Sequence, residues 1–181
     1  MSKDFAARRL DVKAFAEEGA HLQGQDPLRV HERLMAETQG RGAETPVHWS
    51  ARGELRNPGH VNPEIWVHLQ SNAILSLACQ RCLSPVDVPV SVDRSFRFVA
   101  DEDMAAAQDE QSEEDVLALG RSLDLVELVE DELLMELPLA PRHESCPEPL
   151  KIAVSDEDFE DASTRRENPF ALLGKLKSGG H

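Results

Sequence analysis

Apolar positions along the chain change their spacing twice. Residues 12–18 and 30–37 carry them at helical intervals. Asp11 caps the first stretch and Gly19 stops it, while Gly40 closes the second, so two short helices are expected. From residue 46 to about 99 the period falls to two and β-formers take over. Val47–Ser50 and residues 53–55 predict a first strand. Asn57, Pro58, Gly59, Asn62 and Pro63 mark a turn, and Ile65, Val67 and Leu69 then alternate with polar neighbours. A third strand is expected over 73–78, followed by a return strand in which Val86, Val88, Val90 and Val92 alternate strictly. Pro89 argues that this strand lies at an edge.

After residue 100 the alternation stops. Residues 101–121 read as an acidic loop. The helical period returns at 123–137, where Asp124 and Glu127 have capping-box spacing, Val126, Val129, Leu133 and Leu137 form one stripe, and Pro138 ends the run. Asn168 and Pro169 start a short tail helix. The expected fold class is α+β: an antiparallel meander packed by one long acidic amphipathic helix, with short terminal helices. The expected division is an N-terminal helix and loop segment, 1–45, a core domain, 46–150, and an acidic linker with the tail helix, 151–181.

Composition narrows the function classes. A chain of 181 residues can bury a core without disulfides. The longest nearly apolar run, 73–79, is far short of the ~18–20 residues a bilayer requires, and the first residues lack the apolar stretch of a signal peptide. A cytoplasmic protein is therefore expected. Aromatic residues make up 4% with no tyrosine, which leaves few platforms for stacking bases. The net charge of -15 is concentrated, because residues 101–150 hold 16 acidic side chains against two basic ones. Such a surface repels phosphate, so a basic partner protein is expected and contact with RNA is expected to be indirect.

Cys79 and Cys82 fall where one strand gives way to the next, at the tip of a hairpin. Two thiolates so spaced on a turn can face one ion, and His143 with Cys146 is the other cluster whose spacing could close a Cys3His zinc site. Buried structural thiols and redox use stay open beside zinc. Redox chemistry favours a CxxC pair at a helix N-terminus, where the thiol pKa falls, and a hairpin tip does not offer one. No phosphate loop, GxSxG or HExxH motif is present, and the carboxylates come in runs, so no catalytic residue is nominated.

Three blocks together carry a resemblance. They are residues 77–82, LACQRC; residues 124–134, DLVELVEDELL, with Leu137 and Pro138; and residues 168–173, NPFALL, with Leu176 and Lys177. In order and spacing they are similar to the bacterial YceD family of large ribosomal RNA subunit accumulation proteins, over roughly residues 53–177. The resemblance implies a non-enzymatic cytoplasmic factor needed for normal accumulation of 23S ribosomal RNA. Combined with the charge distribution, it directs attention to Glu127, Glu130 and Asp131 on the acidic helix, with the loop before it, as the place where a basic large-subunit ribosomal protein or a pre-50S assembly particle would bind. Phe170, Leu173, Lys175 and Lys177 on the tail helix would supply a second docking element, although packing on the sheet would use the same apolar residues. The rival from another class is a thiol or metal-dependent redox enzyme built on Cys79 and Cys82, and a zinc-stapled structural module is a third reading.

Overall fold

The structure, a computed structural model, describes residues 4–147. The fold is α+β, with a five-stranded sheet in the order β1-β2-β3-β4-β5 and a few short helices. The strands are β1 (His21–Pro27), β2 (Pro46–Arg56), β3 (Glu64–Ala78), β4 (Pro85–Val99) and β5 (Asp115–Ala118). The helices are α1 (Val12–Glu17), α2 (Glu32–Glu37), α3 (Glu102–Asp109) and α4 (Leu125–Met135). The described residues up to Ser145 make one compact unit.

The period-two region forms long strands. The stretches expected as separate strands at 65–69 and 73–78 are one continuous β3, paired with β4 from Ile65↔Phe98 to Ala78↔Pro85. Gln70, Ser71 and Asn72 do not turn the chain. They keep the alternation, with Ser71 buried between exposed neighbours. The register places Val67 opposite Phe96 and Ala73 opposite Val90, so one face of the sheet carries the core. The opposite face is polar, with His48, Arg52, Gln70 and Asp93 exposed on adjacent strands. At Gly53 a Cβ atom would stand 2.4 Å from the Phe15 carbonyl oxygen, so only glycine lets α1 lie this close to β2.

Three expectations are corrected. The sheet is mixed rather than wholly antiparallel, because β5 runs parallel to β4 through Phe96↔Asp115 to Val99↔Ala118. The acidic loop is not a plain loop. Asp101 caps Met104, three consecutive alanines favour helix, and α3 bridges β4 to β5 as a short crossover. The third concerns the N-terminal segment, which was expected to hold only helix and loop and contributes β1 to the sheet. Its sequence HLQGQDP conceals this, since an edge strand with one solvated face needs few apolar residues.

Asp11 and Asp124 both act as N-caps, as expected. Asp11 accepts from Ala14 N at 3.0 Å and Gly19 has φ +56°. Asp124 accepts from Val126 N and Glu127 N at 3.0 and 3.1 Å, opening α4, which is 11 residues rather than long. Val126, Val129 and Leu133 are buried, and Leu137 lies past the helix end, half-buried. The bridge Leu10↔Leu123 ties the N-terminal segment to the start of α4. Pro89 stands where the sequence reading put it: β5 covers only Phe96–Val99, so among the described residues no strand flanks the outer side of 85–95.

Candidate metal centre and acidic surface

The turn between β3 and β4 closes on itself through two backbone bonds, Cys79 N to Ser84 O at 3.0 Å and Leu83 N to Cys79 O at 2.8 Å. Leu83 adopts φ +62°, a left-handed conformation that the tightness of the turn imposes on a non-glycine residue. This geometry leaves Cys79 buried and Cys82 partly exposed. The segment after α4, freed from helix by Pro138 and Pro141, crosses the tip, where Gln80 N donates to Pro141 O at 2.8 Å.

That crossing brings the four expected residues together. One ligand atom from each of Cys79, Cys82, His143 and Cys146 lies within 4.8 Å of all the others. Donor atoms around tetrahedral zinc stand about 3.5–3.8 Å apart, given metal–ligand bonds of 2.0–2.3 Å. The cluster is therefore of the right size and donor type to close on such an ion with a small contraction. His143 Nδ1 is 3.4 Å from Cys82 Sγ, and its Nε2 lies 3.0 Å from Pro85 O, to which it donates.

Electrostatics favour the thiolate of Cys79. Burial pushes the Cys79 thiol up, but the backbone N–H groups of Cys82, Arg81 and His143 and the Cys82 thiol outweigh it and bring Cys79 down to about 5. The His143 imidazole is raised, chiefly by its hydrogen bond to Cys79, with burial opposing and Cys82 and Pro85 O supporting. The sequence reading looked to a helix N-terminus for such an effect, whereas the amides of a tight hairpin turn supply it. Deprotonated sulfur is what a metal ligand requires.

The acidic residues divide into two groups. Glu130 is buried and Asp131 half-buried, and both face Arg33 of α2. Glu127 is exposed. Residues 101–115 contribute eight acidic side chains and no basic one, all at exposed positions. A few of these serve local structure: Asp101 caps α3, Asp109 accepts from Val116 N, and Asp115 stands 3.8 Å from Arg94. Glu102, Asp103, Glu110, Glu113 and Glu114 face solvent. Phe170, Leu173, Lys175 and Lys177 lie outside the described residues.

A family model for "Large ribosomal RNA subunit accumulation protein YceD" matches residues 67–177, a span that contains all four residues of the cluster and the whole of α4. A curated relative of the same name from Haemophilus influenzae is 29% identical over 164 residues, which cover 84% of this chain and 93% of the relative. No solved structure matches.

Proposed function

The chain belongs to the YceD family of large ribosomal RNA subunit accumulation proteins, and from that premise we propose that it is a non-enzymatic ribosome biogenesis factor of the cytoplasm. It supports accumulation of 23S ribosomal RNA by holding a basic large-subunit protein or a pre-50S assembly particle. The observation that carries this reading is the exposed run of eight acids from residue 101 to 115, which holds no basic side chain, with Glu127 exposed on α4. Lysine- and arginine-rich protein is the complementary surface, and RNA phosphate is repelled. Among the expected binding residues Glu127 presents its charge to solvent, whereas Glu130 and Asp131 act through Arg33, orienting the helix that carries Glu127.

The Cys79, Cys82, His143 and Cys146 cluster holds zinc in a structural role. Three thiolates and an imidazole leave no open position for a substrate or water, the arrangement of a closed site. The redox reading is weaker, because Cys79, the sulfur with the lowered pKa, has no surface through which to meet a disulfide substrate.

Co-sedimentation of the tagged protein with ribosomal precursors, with cross-linked partners identified, tests the function. Charge reversal at Glu113, Glu114 and Glu127 should weaken the association and make it less salt-sensitive. Tight, salt-dependent binding to protein-free 23S RNA that survives those reversals would show that the partner-protein mechanism is wrong.

A further inference from the structure

One side chain at the hairpin tip is outside the donor set yet touches both halves of the cluster. Arg81 sits between the two cysteines of the CxxC pair, exposed, and its guanidinium reaches across to the segment after α4. There it donates to the carbonyl oxygens of His143 and, at 3.3 Å, Glu144. These are the backbone groups of one ligand and of the residue beside it. With Gln80 N on Pro141 O and His143 Nε2 on Pro85 O, the second half of the cluster is held to the first by bonds that involve no metal.

We infer that Arg81 is the positioning residue of this site. It fixes the loop that carries His143 before an ion arrives, and it offsets surplus charge once one has bound. Both effects follow from the geometry. A loop tethered at two carbonyls loses less conformational freedom on binding metal, so more of the ligand bond energy appears as affinity. Three thiolates around a divalent ion leave a net charge of about -1, and a guanidinium a few ångströms away stabilises it.

Both bonds leave a single nitrogen, Nη2, whose N–H groups are fixed in the guanidinium plane, whereas a lysine ammonium rotates freely at the end of its stem and holds the same carbonyls less firmly. The bond from His143 to Pro85 O selects the ligand atom of the histidine. With Nε2–H donating to Pro85 O, the Nδ1 lone pair is directed to the side where Cys82 Sγ lies, and Nδ1 is the atom that binds the ion.

This inference rests on the zinc reading above, and one experiment separates their failures. Zinc affinity is measured by competition with a chromophoric chelator for the full-length wild type, Arg81→Ala and Arg81→Lys, and Co2+ is substituted to read the donor set from its absorption. The expected result is a loss of about 10–100-fold for Arg81→Ala, the range seen when a group outside the ligand set orients the ligands. Lysine should restore part of that loss through its charge. The cobalt spectrum should be the same in all three, because the donors are unchanged, and the metal-free proteins should unfold at the same denaturant midpoint. If Arg81→Ala binds within about twofold of wild type, or if its metal-free form is destabilised enough to account for the loss, the positioning role is overturned and the zinc site stands. If the wild type takes up neither zinc nor cobalt, both readings fall.

Discussion

Glu130 on α4 holds Arg33 of α2 by backbone and side chain at once. One carboxylate oxygen accepts from Arg33 N at 2.7 Å and from Leu34 N at 3.2 Å, and the other accepts from Arg33 Nε and Nη2 at 3.2 and 3.1 Å. Two short elements about a hundred residues apart are joined through a single buried side chain. Glu130→Ala strands two backbone N–H groups and leaves the guanidinium only its bond to Asp131, so a loss of about 2–4 kcal/mol is expected. Glu127→Ala, one turn earlier and exposed, should change stability by less than about 0.5 kcal/mol. Urea unfolding of the two variants checks the contrast.

Gly53→Ala should be destabilising by about 1–3 kcal/mol, at the upper end of overpacking because the clash is with backbone. The added Cβ would meet Phe15 O at 2.4 Å and Ala16 N at 2.8 Å, atoms that cannot move without shifting α1. Gly59→Ala, with nothing within 4 Å of its added Cβ, is the control. Thermal unfolding of the pair reads the difference.

Two buried groups give opposite pH signatures. His31 is 1% exposed, its Nε2 has no hydrogen-bond partner among the described residues, and burial lowers its pKa from 6.5, with Glu130 and Asp26 opposing and Arg8 assisting. A base whose native pKa is depressed contributes stability that is present above the unfolded value and lost as pH falls below about 6.5 toward the native one. His31→Leu should flatten the acid-side decline in stability between those limits. A slope identical to wild type would contradict this.

Glu132 behaves the other way. Burial raises its pKa. Arg94 opposes that rise, and Asp115, Asp131 and Glu136 add to it. The native state thus binds this proton more tightly than the unfolded chain, so the ionised carboxylate costs stability at neutral pH and the cost disappears as pH falls through the raised pKa. Glu132→Gln should therefore unfold at a higher temperature than wild type at neutral pH, with the gap closing on acidification. Scanning calorimetry across pH checks both.

Much of the fold was legible because one solvated sheet face enforces alternation: Val86, Val88, Val90 and Val92 lie in β4 as their spacing demanded. Elements that gain stability from neighbours rather than pattern were not. β1 has a single large aliphatic side chain, Leu22, and β5 has four residues that pair only because α3 folds back beside them. Glu130 was read as an outward acid although a signal was present. It stands four residues after Val126 and three before Leu133, on the apolar stripe itself. The cysteine and histidine cluster was nominated from spacing, but Arg81 had no signature. Its reach to His143 O depends on Pro141 crossing the hairpin tip, a tertiary fact.

The bare margin of β4 has a consequence for the protein at high concentration. Four alternating valines in a stretch whose outer side no described strand covers make a segment that would template growth of a second sheet from another molecule, the route by which edge strands aggregate. Pro85 and Pro89 remove two backbone donors from that run, and Asp87 and Asp93 would meet their own charge in an antiparallel copy. Solubility during synthesis, when neighbouring nascent chains are crowded, thus depends on two prolines and two aspartates that contribute nothing to the core.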